Sequence, residues 1–256
     1  MRIRNRYDAQ VPVIVGPISL PHSVFEKDAL FLRSQTDAPI KWALPGPLTM
    51  VDTLCDEYYS CKKTLANEFA KILNKEARAL EAAGVDVIQF DEPAFNVFPD
   101  EVNEWGVDAL ETAIDGLTCK TAVHICYGYG IKANNDWKKS LGSQWRQYEL
   151  IFPKIKASNI SAVSLECHNS HVPLSLISLL EGKEIMVGAI DVANDYIESP
   201  EEVAETLRQA LAYVAPDKLI ACTNCGMAPM AADVARKKLA ALTAGVRIIR
   251  DELKSI

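Results

Sequence analysis

The run Val123-His124-Ile125-Cys126-Tyr127 places an imidazole and a thiol two residues apart. On a strand, residues i and i+2 share a face, so both donors point at one place. A nitrogen and a sulfur converging in this way suit zinc. Alone the pair is weak, because His and Cys on a buried strand are most often ordinary core residues. Other strand ends add to it. Glu166 closes the apolar run Ala162–Glu166, and a carboxylate there is costly unless paired or metal-bound. Cys225 lies in Cys222-Thr-Asn-Cys225-Gly226. A single C-x-x-C reads as a redox pair or half a zinc knuckle. There is no second C-x-x-C, and this one does not open a helix after a first strand, so neither reading is well supported. A rival donor set, Cys167, His168 and His171, stands beside Glu166. Neighbours on a strand face opposite ways, so Glu166 and Cys167 do not both reach one ion. His168 and His171 then line the loop above the site. Asp91-Glu92-Pro93 is either a capping turn with a solvated Glu or a place where Asp91 holds an amine.

These residues need elements to carry them. Apolar runs Ile40–Leu44, Val85–Phe90, Thr121–Cys126, Ala162–Glu166, Ile185–Ile190 and Leu219–Cys222 read as six strands. Most are followed by a helical pattern. Leu65, Phe69, Ile72, Leu73 and Leu80 recur at helical spacing, and Gly84 ends that helix as a C′ glycine. Ser199-Pro200-Glu201-Glu202 reads as N-cap, first-turn proline and capping-box glutamate, opening a helix with Val203, Leu207 and Leu211. A last helix runs from about Ala231 to Leu253. Val11–Val15 is a possible further strand, made irregular by Pro12, Pro17 and Pro21. The polar residues follow the strands' carboxyl ends, where a (β/α)8 barrel and a doubly wound sheet both build their sites. No glycine fingerprint for a dinucleotide or phosphate appears, which lowers the second reading. The expectation is one domain over 1–256, with an irregular segment 1–39 and a core 40–256.

With 256 residues, 49% hydrophobic and a net charge of −7, the chain offers no basic footprint for nucleic acid. It has no apolar run long enough to span a membrane, and its polar, basic start is no signal peptide. Seven cysteines at strand ends fit a reducing cytoplasm, with thiols unpaired or metal-bound.

Taken in order, Gln89-Phe-Asp91-Glu-Pro-Ala94, His124-Ile-Cys126-Tyr127, Glu166 and Asn224-Cys225-Gly226 resemble the catalytic barrel of the cobalamin-independent methionine synthases. The likeness runs from about residue 40 to the end and is greatest to the short, single-barrel core members. It implies an α/β, (β/α)8 TIM-type barrel. It implies zinc held by His124, Cys126, Glu166 and Cys225, and Asp91 holding the amino group of homocysteine. It puts forward Asp91 and His168 as catalytic, and Asp91, Glu92, Asp191 and Asn224 as substrate contacts. The implied reaction is methyl transfer to the homocysteine thiol, giving methionine.

Three departures qualify the likeness. Family members begin with two strands not recognised here, so the barrel is expected to be N-terminally incomplete, with about six of eight strands. Gly188-Ala-Ile-Asp191 is followed by Val192-Ala193, where the folate-using enzymes carry a histidine at the position of Ala193. Cys225 is followed by Gly226-Met-Ala-Pro-Met230, without the basic residues of the folate type. The methyl donor is therefore expected to be a methylated corrinoid, or a methyl group delivered by a partner protein, rather than methyltetrahydrofolate. Two alternatives stand beside this reading. One is a zinc methyltransferase acting on another thiol, such as coenzyme M. The other is a truncated, non-catalytic zinc-binding barrel fragment that assembles with another chain.

Overall fold

The computed structural model describes residues 1–129 and 131–255. Gly130, read from sequence as part of the turn after the third strand, lies outside the described residues, as does Ile256. The main sheet has six parallel strands: β1 (Lys41–Pro45), β2 (Val87–Asp91), β3 (Lys120–Ile125), β4 (Ala162–Glu166), β5 (Glu184–Gly188) and β6 (Leu219–Cys222). These are the six runs read from the sequence, shifted by a residue or two at most ends. Their order in the sheet is their order in the chain, with β1 and β6 at its ends. A doubly wound sheet reverses direction at a switch point, and this one does not. The winding is that of the barrel class. No helix among the described residues is long and apolar enough to cross a membrane.

Two compact units divide the chain: residues 1–125 with 157–162, and residues 126–156 with 163–256. In the first, β1 pairs with β2 and β2 with β3, so that Pro45, Asp91 and His124 stand side by side in register. After β1 comes α1 (Pro47–Asp52), and α2 (Lys62–Ala82) covers the sheet with Leu65, Phe69, Leu73, Ala77 and Leu80 buried. The stripe falls every three or four residues, the spacing of one helical face. Gly84 ends α2 at φ 93°, a conformation costly for any residue with a Cβ. A helix not assigned from sequence, α3 (Val107–Ile114), follows a π-helical turn at Val102–Gly106. The segment 1–39, read from sequence as irregular, contributes no strand to the main sheet, but it holds a ten-residue helix at Glu26–Gln35, an antiparallel pair of Arg2–Ile3 with Tyr7–Asp8, and Val13–Ile14 paired with Cys55–Asp56. Its prolines remove the donors that a longer strand would need.

In the second unit, β5 and β6 run parallel, with Leu219 opposite Ile185 and Cys222 opposite Gly188. The helices are α4 (Lys132–Ser140), α5 (Gln147–Lys156), α6 (Pro200–Ala210) and α7 (Ala232–Lys254). The capping box forms: Ser199 Oγ accepts from the Glu202 amide, and the Glu202 carboxylate accepts from the Ser199 amide at 2.7 Å. Gly245 of α7 lies against Val203 of α6, with no room for a Cβ. A fully buried ion pair, Lys238–Glu198 at 2.9 Å, ties α7 to the segment after β5. Lys238 also donates to the carbonyl of Asp191 at 2.9 Å, and Glu198 accepts from the Asp191 amide at 2.8 Å.

Candidate metal centre

Parallel strands bring their carboxyl ends to one side of a sheet. Asp91, His124, Glu166 and the Cys225 turn all lie at or just past such ends. Cys126 and Cys225 place their sulfurs 3.6 Å apart. That is far beyond a disulfide bond of ~2.05 Å. Two sulfurs at ~2.3 Å from one zinc at the tetrahedral angle would stand about 3.8 Å apart, so the observed spacing fits two thiolates on a single ion. The ligand atoms of His124, Cys126 and Cys225 all lie within 4.8 Å of one another. The turn is held by Thr223 Oγ1, which donates to the Cys225 carbonyl at 2.8 Å. All seven cysteines are thiols rather than disulfides. Cys222 sits on the strand itself, its sulfur 3.8 Å from Ser164 Oγ.

Glu166 stands outside that trio. Only 2% exposed, its carboxylate accepts from the Tyr127 amide at 3.1 Å and from Lys138 Nζ at 3.2 Å. Lys138 lies over the Tyr129 ring, 3.6 Å from its centroid, and 5.5 Å from that of Trp145. Burial, reinforced by the charge of Glu166, pushes the Tyr129 phenol well up, so it stays protonated and able to donate. An aromatic cluster backs the carboxylate, with the Tyr127 ring 4.8 Å from Trp145 and 5.3 Å from Tyr148.

The rival donors do not converge. Cys167 is buried, its sulfur 3.8 Å from the Leu165 carbonyl, and burial raises its thiol pKa. His168 Nδ1 lies 3.0 Å from Thr206 Oγ1 on α6. His171 is exposed, against Trp145.

The expected substrate contacts are placed as follows. Asp91 is half-buried, and Oδ1 accepts from Gln89 Nε2 at 2.8 Å. Gln89 in turn accepts from Lys41 at 2.8 Å. This Lys41–Gln89–Asp91 chain lies on one face of β1 and β2. Glu92 is fully buried, accepting from the Leu48 and Thr49 amides and the Thr49 hydroxyl at 2.7–3.0 Å. Burial raises its pKa to about 7, against the pull of those donors. Asp191 accepts from the Ala193 amide and from Asn194 Nδ2. Asn224 spends its amide on backbone, accepting from the Cys167 amide at 3.1 Å and donating to the His168 carbonyl at 2.7 Å.

Sequence reasoning missed Gln89, Lys41, Tyr129 and Lys138. Gln89 was findable, because it is two residues from Asp91 on a strand. Lys138 sits on an exposed, charged helix and carries no local signal.

Comparison with known proteins decides the family. The catalytic-domain model of the cobalamin-independent synthases matches residues 3–246. The chain belongs to the cobalamin-independent methionine synthase family. It is 32% identical over 246 residues to a methionine synthase of Sulfurisphaera tokodaii, covering 95% of this chain and 67% of that one. It is 35% identical to that of Thermococcus kodakarensis, covering 84% and 58%. A solved B12-independent methionine synthase from Shewanella sp. W3-18-1, in complex with selenomethionine, is 66% identical. That likeness has a TM-score of 0.98 and covers all of this chain and 75% of that one. A methyltransferase from Methanosarcina mazei, 16% identical with a TM-score of 0.60, shares the fold. As a member of the family, the chain is a methyltransferase.

Proposed function

We propose that the chain transfers a methyl group to the thiol of homocysteine, giving methionine, with zinc as its cofactor and a donor other than methyltetrahydrofolate. The observation that carries this is the His124, Cys126 and Cys225 cluster, whose donor types and 3.6 Å sulfur spacing suit zinc. Glu166 supplies the fourth donor. Zinc held by two thiolates, an imidazole and a carboxylate lowers the pKa of an incoming thiol while leaving its sulfur nucleophilic.

The protein's own residues bind and orient. Asp91 accepts from the ammonium group of the amino acid; Gln89 donates to the Asp91 carboxylate and is itself held by Lys41. Asp91 and His124 are register partners on adjacent strands, which puts the ammonium site next to a metal ligand. Glu92 acts one step back: it anchors the turn after β2 to the start of α1. Asn224 and the Lys238–Glu198 pair similarly fix the backbone around Cys167, His168 and Asp191. The bound selenomethionine of the Shewanella relative, an analogue of the proposed product, supports this substrate class.

The test is turnover by the purified, zinc-loaded chain with homocysteine. Methionine should form from methylcobalamin and not from methyltetrahydrofolate. Zinc bound without methionine from any methylcorrinoid would overturn the proposed donor class. Methyl transfer to coenzyme M but not to homocysteine would change the acceptor.

A further inference from the structure

β6 and β4 are not neighbours in the sheet, because β5 lies between them. Asn224, in the turn that leaves β6, nevertheless reaches the chain that leaves β4. Its side chain is fully buried. Oδ1 accepts from the Cys167 amide at 3.1 Å, and Nδ2 donates to the His168 carbonyl at 2.7 Å. The backbone amide of Asn224 donates to the Ile190 carbonyl at 2.9 Å, just past β5. One residue thus ties three strand exits together. The crossing requires that β5 end in glycine. A Cβ on Gly188 would stand 2.4 Å from Asn224 Oδ1 and 2.6 Å from the Leu165 carbonyl oxygen, well inside van der Waals contact. The Gly188 carbonyl also accepts from the His168 amide at 2.8 Å, so the same glycine holds the far end of the bridge.

We infer that Asn224 is a positioning residue for the metal, with Gly188 as its clearance. The amide bridge to Cys167 and His168 sets the place of the Cys225 sulfur, and so the spacing of the two sulfurs that the ion meets. The inference rests on the metal site proposed above, and it moves Asn224 from the substrate contacts to the support of a ligand. Consecutive Cα atoms are about 3.8 Å apart, so a shift of Asn224 passes directly to Cys225, whose sulfur lies 3.6 Å from that of Cys126. Thr223 braces the other side of the turn, its Oγ1 donating to the Cys225 carbonyl at 2.8 Å. A neutral amide suits the task, because it serves a buried donor and a buried acceptor at once and adds no charge. Its removal would leave the Cys167 amide and the His168 carbonyl short of a partner, and the turn free to relax. Groups that hold metal ligands from behind typically carry about ten- to a hundredfold of metal affinity.

The experiment measures the zinc affinity of the full chain by competition with a chromophoric chelator, and the visible spectrum of the same chain saturated with cobalt(II). Asn224→Ala should weaken zinc binding by about ten- to a hundredfold, although no ligand is removed. Its cobalt spectrum at full loading should shift, because the ligand geometry itself has changed. Gly188→Ala keeps every hydrogen-bonding group and displaces the Asn224 amide, so it should change both readings in the same direction. Ser199→Ala, which removes the cap of α6, serves as a destabilised control and should change neither. If Asn224→Ala does not fold, as judged by circular dichroism, Asn224→Ser, too short to make the bridge, reads the same comparison. Affinity within about twofold of wild type in the folded variant would overturn the inference. So would a cobalt spectrum superimposable on that of wild type, or an equal loss of affinity in Ser199→Ala, which would mean that affinity merely follows stability. A wild-type chain that binds neither zinc nor cobalt would overturn the metal site and the inference with it, a result distinct from the others.

Discussion

Cys126 and Cys225 are the residues on which the site depends most, because thiolates are the strongest donors present for a metal of this type. Replacing either with Ser should cut zinc content from about one per chain to a small fraction, read by elemental analysis of the purified protein. Ser at Cys55, Cys61 or Cys119 should leave it whole. Loss of zinc in Cys167→Ser but not in Cys225→Ser would move the site to the other donor set. Asp91 has a different role in the proposed function, holding the substrate ammonium rather than the metal. A charge-assisted hydrogen bond is worth about 1.5–3 kcal/mol, so Asp91→Asn should weaken homocysteine binding roughly ten- to a hundredfold. Zinc content should not change. Gln89→Ala should act in the same direction and less strongly, because it frees the Asp91 carboxylate without removing it. Calorimetric titration separates the two, and a Gln89→Ala chain that binds as tightly as wild type would remove Gln89 from the positioning role.

At the scale of elements, the turn after β2 is locked to α1 by one buried carboxylate. A Cβ on Gly46 would come within 2.2 Å of the Glu92 carboxyl carbon. Overpacking of this kind typically costs about 1–3 kcal/mol. Gly46→Ala should therefore lower stability to denaturant by that amount, and an unchanged midpoint would show that Glu92 is not held as described. The start of α6 is a separate case. Ser199 and Glu202 satisfy each other's backbone amides, so Ser199→Ala should cost about 1 kcal/mol. The loss should appear in unfolding and leave zinc content unaltered, because the cap touches none of the proposed ligands.

For the molecule as a whole, the open question of chemistry is the donor. A folate donor carries carboxylates that basic residues would recognise, and the stretch after Cys225 offers none. At Ala193 the backbone amide is engaged with Asp191, and the side chain is a methyl group. Methyltetrahydrofolate, including its polyglutamate form, should be inert with the purified chain. Folate-dependent methionine formation would contradict this. The chain spans 58–70% of the length of relatives such as those of Sulfurisphaera, Sulfolobus acidocaldarius and Thermococcus, so assays of the isolated chain are the ones that bear on it.

Part of the candidate site was legible in the sequence because strands have a period of two and sites gather at their carboxyl ends. The convergence of His124 and Cys126 follows from the first rule and the placing of Cys225 from the second, whereas Glu166, expected beside them, stands outside their trio. All six strands were legible because each is a short apolar run with a polar end. The sequence could not order the strands, because alternation suits two windings; only the pairing of β1 with β2 and of β2 with β3, onward to β6, decided between them. It could not say that Asn224 and Glu92 spend their side chains on backbone, since those partners lie 40 to 60 residues away in the chain. Nor could it assign Lys138. On its own helix that residue is one more surface lysine, and only the fold turns its ammonium onto two aromatic rings and a buried carboxylate 28 residues away. Local spacing is written in the sequence; the charge that each donor meets is a property of neighbours that only tertiary structure brings.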